Sequence, residues 1–194
     1  MEFVITPYSK GCPAFATWEN AFDTQELDIL QRIARDATET AKVGDNQNNP
    51  DIRRTKLSWL KYEPDTAWVF ARLAHVVSSL NVESFNFNLT GFGESLQMAN
   101  YDSKDVGSYG WHQDFSYGNG TASVSRKLSL VLQLSDASEY EGGYLEVNNN
   151  KIIRMKKQRG LIIVFPSWVS HQVTPVTYGT RQSLVSWVTG PAFI

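Results

Sequence analysis

Three histidines occur in the 194-residue chain, and two of them stand where metal chemistry is possible. His112 precedes Asp114 by two residues in Trp111-His112-Gln113-Asp114. On an extended segment, residues i and i+2 project to the same face, so an imidazole and a carboxylate would converge on one point. His171 closes Trp168-Val169-Ser170-His171, just after an apolar run. Each signal alone is ordinary. An isolated H-x-D also fits an exposed turn or a His–Asp hydrogen bond, and a lone histidine after an apolar strand also fits a buried, satisfied side chain. Joined, they make a two-histidine, one-carboxylate set, which covers one face of an octahedral metal and leaves three positions open, as at non-haem Fe(II) centres. The same donors also accept Mn, Co or Ni.

Arg181, ten residues after His171, favours the joined reading. Thr174-Pro175 and Tyr178-Gly179 supply turn residues between the two, so the chain can reverse and run back alongside. Strand alternation then puts Arg181, Ser183, Val185 and Trp187 on one face. A guanidinium beside a hydroxyl suits a buried carboxylate, because the rigid fork of arginine makes bidentate contacts. A metal triad with an inward-facing arginine points to Fe(II) acting with a carboxylate-bearing cosubstrate.

The elements that must position these residues change character along the chain. Asp23 and Glu26 form a capping box with Phe22 placed to staple onto Leu27. Leu27, Leu30, Ile33, Ala34, Ala37 and Ala41 continue as an apolar stripe ending near Gly44. A second helix begins after Pro64-Asp65 and carries Trp68, Phe70, Leu73, Val76, Val77 and Leu80; His75 lies on it without a partner motif and reads as a structural or surface histidine. From Phe85 onward, short β-branched and aromatic segments alternate with Gly, Asn, Asp and Pro turns. Expected strands are Phe85–Phe92, Ser95–Tyr101, Lys127–Leu134, Tyr144–Val147, Lys151–Met155, Gly160–Phe165 and Arg181–Val188. This order predicts one domain over 1–194, mainly β, with a helical buttress over about 1–84 packed on a closed or sandwiched antiparallel core over about 85–194.

Composition narrows the class. The net charge of -2, from 18 basic and 20 acidic residues, leaves no electrostatic footprint for non-specific binding to nucleic acid or membrane. The single cysteine, Cys12, excludes an intramolecular disulfide. No apolar run approaches the ~20 residues that span a bilayer, and the start has no signal-peptide pattern, so a cytoplasmic location is expected. Nucleotide-binding glycine motifs and a serine-hydrolase elbow are missing. Lys151, Arg154, Lys156, Lys157 and Arg159 cluster around an expected hairpin and read as a solvated strand edge.

Four ordered motifs resemble a known family. Glu94-Ser95-Leu96-Gln97 with Tyr101, Gly107, Tyr109, His112 and Asp114 is similar to the opening motif of prolyl 4-hydroxylase-like 2-oxoglutarate oxygenases. Glu141-Gly142-Gly143-Tyr144-Leu145 looks like the acidic-Gly-Gly element that follows in them. Phe165-Pro166-Ser167, His171, Val173 to Thr177, Gly179, Arg181 and Trp187 resemble the bacterial PKHD-type hydroxylases. The resemblance implies a double-stranded β-helix, or jelly roll, with Fe(II) on His112, Asp114 and His171. It implies 2-oxoglutarate with its far carboxylate on Arg181, contacts from Tyr101, Ser183 and Tyr109, O2 as oxidant and L-ascorbate as reductant. It also implies hydroxylation of an unactivated C–H bond with release of succinate and CO2. Two features depart from typical prolyl 4-hydroxylases: the interval from Tyr101 to His112 is longer, and arginine stands where many have lysine.

The expected substrate is a protein or peptide side chain, proline among them, with Trp111, Phe115, Tyr117 and Trp168 lining its groove. The run Tyr117-Gly118-Asn119-Gly120 is a candidate lid. A free amino acid, a small metabolite or a nucleobase is the alternative substrate. A non-catalytic β-barrel binding module is the alternative of another class. No role is assigned to Gln133, which falls where some relatives carry tyrosine.

Overall fold

The computed structural model describes residues 11–36, 39–40, 52–115 and 124–191. Helix α1 (Thr24–Arg35) starts as its sequence dictates: the Asp23 side chain accepts from Glu26 N at 2.8 Å, and Glu26 Oε2 accepts from Asp23 N at 3.0 Å. The helix ends well before Gly44. Asp36 caps it, and strand β2 (Glu39–Thr40) instead pairs with Lys56 and Leu57, so sheet pairing overrides helix propensity there. Ala37 and Ala41 of the expected stripe lie outside the described residues. Helix α2 (Ala67–Leu80) buries Val69, Phe70, Leu73, Val76, Val77 and Leu80. On it, His75 is exposed at the surface and lies edge-on to Trp18. Among the described residues no helix is long and apolar enough to cross a membrane.

The strand expected over Phe85–Phe92 does not form. A π-helical turn, Asn81–Phe85, extends α2 and is closed by Asn86 with φ 55°. The Asn81 side chain then both donates to and accepts from the Phe87 backbone at 2.9 Å, satisfying groups that a sheet partner would otherwise pair. Only β5 (Gly91–Phe92) remains as strand.

The N-terminal segment also contributes β1 (Ala16–Trp18), β3 (Arg53–Arg54) and β4 (Lys56–Leu60). Downstream follow β6 (Leu96–Asp102), β7 (Ser108–His112), β8 (Val124–Gln133), β9 (Tyr140–Gly142) and β10 (Leu145–Asn148). The last strands are β11 (Ile152–Arg154), β12 (Ile162–Pro166), β13 (His171–Val173) and β14 (Val176–Pro191). Two antiparallel sheets result. The major sheet runs β1-β12-β8-β14-β6-β4-β2, with β5 and β9 also on β14; the minor sheet runs β11-β10-β13-β7-β3.

Alternation divides the core in two. On β12, Ile162 and Val164 join Leu96, Met98, Leu130, Leu132 and Leu184 beneath α1 and α2. Ile163 and Phe165 face the other way, between the sheets, with Ala99, Tyr101, Val131, Leu145, Val147 and Val173. Both faces of the major sheet are therefore covered, which accounts for the continuous apolar run of β12. Along the expected basic edge Lys151, Arg154 and Lys156 are exposed, Arg154 pairing with Glu146 at 2.6 Å, whereas Lys157 and Arg159 are half-buried and Arg159 pairs with Asp28 at 2.6 Å.

Candidate metal and cosubstrate site

The two imidazoles come from neighbouring strands of the minor sheet. His112 ends β7, His171 begins β13, and their Cα atoms are cross-strand partners. Directly opposed residues share a face, and the two rings lie with centroids 4.1 Å apart. The chain then turns so that the amides of Asp114 and Phe115 both donate to Ser167 O, each at 2.9 Å. Gln113, the middle residue of H-x-D, donates to Trp168 O at 2.6 Å and ties this turn to the one before His171.

Asp114 is thereby brought to both histidines. Its Oδ1 is 3.7 Å from His112 Nε2 and its Oδ2 is 3.5 Å from His171 Nε2. The three candidate ligand atoms all lie within 4.8 Å of one another. His112 Nδ1 meets Gly110 O at 2.8 Å, and His171 Nδ1 meets Val169 O at 3.0 Å. A carbonyl only accepts, so each Nδ1 carries the proton and each Nε2 lone pair is left for the centre.

Protonation agrees with this donor set. Burial and the neighbouring His171 push His112 down to about 4, against the pull of Asp114, so its imidazole is neutral near pH 7. Burial alone would raise the Asp114 pKa. The facing His171 and His112, with the hydrogen bond from Ser129, outweigh it and hold the carboxyl below its usual range. A neutral His112 and an ionised Asp114 are deprotonated ligands of the kind a divalent metal needs, and His171 completes the donor set. The residues fit Fe(II).

The other end of the site lies on the major sheet. Arg181, opposite Tyr101 on β6, is only 1% exposed. Its Nη1 donates to Ser183 Oγ at 3.2 Å, its Nη2 donates to Gln133 Oε1 at 3.4 Å, and its guanidinium lies 5.3 Å from the Tyr101 ring centre. Nε has no partner, and no carboxylate among the described residues pairs with the group. A buried guanidinium without a counter-ion costs several kcal/mol, so this one is built to receive an anion. Tyr140 adjoins it. Burial raises the Tyr140 phenol, while the neighbouring charge of Arg181 pulls the other way. Gly143, at φ 57°, allows this approach, since a Cβ there would come within 3.1 Å of Tyr140 and 3.2 Å of Arg181. The double-glycine motif thus serves the arginine.

The remaining expected residues fall in three groups. Tyr101 and Ser183, expected to contact the cosubstrate, both lie against Arg181. Tyr109 instead stacks on the His112 ring at 3.5 Å, with the Arg53 guanidinium 4.4 Å from its own ring centre. An irregularity in the β7–β13 pairing, where Tyr109 opposes Val173 and His112 opposes His171, lets both rings face inward. Trp111 and Trp168 are 41% and 37% exposed, and Phe115 is half-buried. Trp168 packs on Phe87 at 5.4 Å. Tyr117 and the candidate lid lie outside the described residues.

Sequence reasoning missed Ser129, which donates to Asp114 Oδ2 at 2.7 Å, together with Gln133 and Tyr140 at Arg181. It also missed Arg126, which grips Glu94 through two bonds of 2.8 Å and lies over the Trp187 ring at 3.8 Å. One signal was available: Ser129 interrupts the apolar run of β8 at a position where alternation points inward.

This geometry agrees with the comparisons. A model of the 2OG-Fe(II) oxygenase superfamily matches residues 96–189. A PKHD-type hydroxylase of Prochlorococcus marinus is 39% identical over 166 residues, covering 84% of this chain and 70% of that protein. One from Idiomarina loihiensis is 38% identical over 81 residues, covering 41% of this chain and 36% of its own length. A Pseudomonas putida prolyl-4-hydroxylase superposes with a TM-score of 0.71 at 19% identity, over 90% of this chain and 91% of that one. A Trichoplax adhaerens prolyl hydroxylase, solved with a hypoxia-inducible-factor peptide fragment, gives 0.74 at 17% identity, over 90% and 83%. At such identities the structures show the shared jelly-roll fold.

The chain belongs to the 2OG-Fe(II) oxygenase superfamily, a class of dioxygenases that use Fe(II), 2-oxoglutarate and O2. Within that class it is prolyl 4-hydroxylase-like, and its sequence is similar to the PKHD-type hydroxylases.

Proposed function

We propose that this protein hydroxylates an unactivated C–H bond of a protein or peptide side chain, with His112, Asp114 and His171 holding Fe(II) and Arg181 holding the far carboxylate of 2-oxoglutarate. Bound iron would supply O2 activation coupled to decarboxylation of the cosubstrate to succinate and CO2. The chain's own contribution is orientation. The Nδ1 bonds to Gly110 and Val169 fix both imidazoles as Nε2 donors. Ser183 and Gln133 fix two guanidinium nitrogens of Arg181 from its protein side. Tyr101 and Tyr140 wall the guanidinium from water, which strengthens its grip on an anion. One domain, with a helical buttress over about 1–84 and a core over about 85–194, would carry this activity.

The observation that carries the reading is the buried Arg181 with no carboxylate partner among the described residues, inside the same double-sheet core as the three-ligand cluster. A peptide substrate is supported by the Trichoplax neighbour, which was solved with one, and by the exposed Trp111 and Trp168 beside the ligands. The test is anaerobic addition of Fe(II) and then 2-oxoglutarate, followed by its weak visible charge-transfer band. Wild type gives the band, His171→Ala gives none, and Arg181→Ala gives it only at much higher 2-oxoglutarate. A full band in His171→Ala would overturn the ligand assignment. Mass spectrometry of a peptide and metabolite panel, seeking a gain of one oxygen that requires 2-oxoglutarate, then separates a peptide from a small substrate.

A further inference from the structure

Ser129 stands in the middle of β8 between Leu128 and Leu130, and all three are fully buried. The leucines join the core beneath the helices, so Ser129 projects between the sheets. Its cross-strand neighbours are Phe165 and Trp187. A hydroxyl here adds little packing, and burying it needs a partner. That partner is Asp114 Oδ2 at 2.7 Å, the short length of an O–H donor on an anion. Ser167, also fully buried, has its Oγ 3.1 Å from Ser129 Oγ.

The direction of this chain follows from counting protons. Ser129 has one hydroxyl proton, and the carboxylate can only accept it. Ser167 must therefore donate to Ser129. The same Ser167 holds the Asp114 backbone, because its carbonyl accepts from Asp114 N and Phe115 N. Asp114 is thus fixed at backbone and carboxylate by one pair of serines on the major-sheet strand β8 and the turn after β12.

We infer that Ser129 is a positioning residue for the metal. By donating to Oδ2 it fixes the plane of the Asp114 carboxylate, whose Oδ1 lies beside His112 Nε2 and whose Oδ2 lies beside His171 Nε2. Without it the carboxylate is free to turn away from the two imidazoles. This rests on the reading of His112, Asp114 and His171 as metal ligands.

The test titrates anaerobic wild type, Ser129→Ala, Ser129→Thr, Ser167→Ala and His171→Ala with Mn(II), and records the visible d–d spectrum of each Co(II) form. Ser129→Ala should bind Mn(II) about 10- to 100-fold more weakly, the usual cost of losing a partner that orients a ligand. Its Co(II) bands should weaken and shift as the carboxylate turns. Ser129→Thr, which keeps the hydroxyl, should restore both, and Ser167→Ala should fall between. A Ser129→Ala protein that melts lower yet keeps wild-type Mn(II) affinity and Co(II) spectrum has lost only packing and overturns the proposal. Wild type that binds neither ion, or His171→Ala that binds both normally, would instead overturn the metal reading beneath it.

Discussion

The minor sheet supplies both imidazoles, from strands of five and three residues, β7 and β13. The major sheet supplies Arg181, Tyr101 and Ser129 from strands of sixteen, seven and ten residues. Helices cover the outer face of the major sheet, whereas Trp111 and Ile152 on minor-sheet strands are exposed. The cosubstrate end is therefore built on a frame that core packing already secures. The metal end hangs on short strands, backbone carbonyls and the Asp114 turn. Bound metal would join the two through Asp114, whose backbone follows β7 and whose carboxylate is held from β8. Rigidity at one end and dependence on ligand at the other is the division the comparison teaches.

The sharpest way to break it is substitution at each end. His171→Ala should abolish Mn(II) binding in an anaerobic titration while the fold survives by circular dichroism. Arg181→Ala should leave Mn(II) binding intact and raise the 2-oxoglutarate requirement about 100-fold or more, the loss expected for charge-assisted bonds. Equal loss of both ligands in Arg181→Ala would show that the two ends are not separate.

Chelation probes the division without mutation. Removing metal should speed amide hydrogen exchange in β7 and β13 and leave the centres of β8 and β14 protected. Uniform change across both sheets would contradict it. The metal-free protein should also lose stability as pH falls from the ordinary histidine range, ~6.5, toward about 4. Over that window the unfolded chain takes up the His112 proton before the folded one does, a loss of up to roughly 3 kcal/mol. Asp114, whose pKa is also lowered, adds a loss of the same sign at still lower pH. Urea melts at several pH values check this, and His112→Ala should flatten the upper part of the profile. The smallest effect should come from the buttress: Asp23→Ala removes the α1 cap, costs about 1 kcal/mol in a urea melt, and leaves both ligand affinities unchanged.

What the sequence disclosed divides along similar lines. The long strands β8, β12 and β14 carry enough alternation or apolar run to be read, and H-x-D and Arg181 are residue types with few structural uses in a barrel interior. The strands β1, β3 and β13 are too short to establish a period, and β7 is bulged. Phe85-x-Phe87-x-Leu89 does alternate, and it misled because the Asn81 side chain takes the place of a sheet partner. The α1 stripe ran past its end because apolar spacing does not reveal that β4 has an edge free for Glu39–Thr40. Ser129, Gln133 and Tyr140 received no role for a chemical reason: serine, glutamine and tyrosine suit many settings, and only contact with Asp114 or Arg181 distinguishes these three.

The opposition of His112 and His171 across two short strands makes the site depend on parity. A slip of β13 by one residue against β7 would turn that imidazole outward together with the buried Val173, with no ligand changed. A slip of two would restore its direction. An odd slip of this three-residue strand would therefore remove the metal site while leaving every ligand in the sequence.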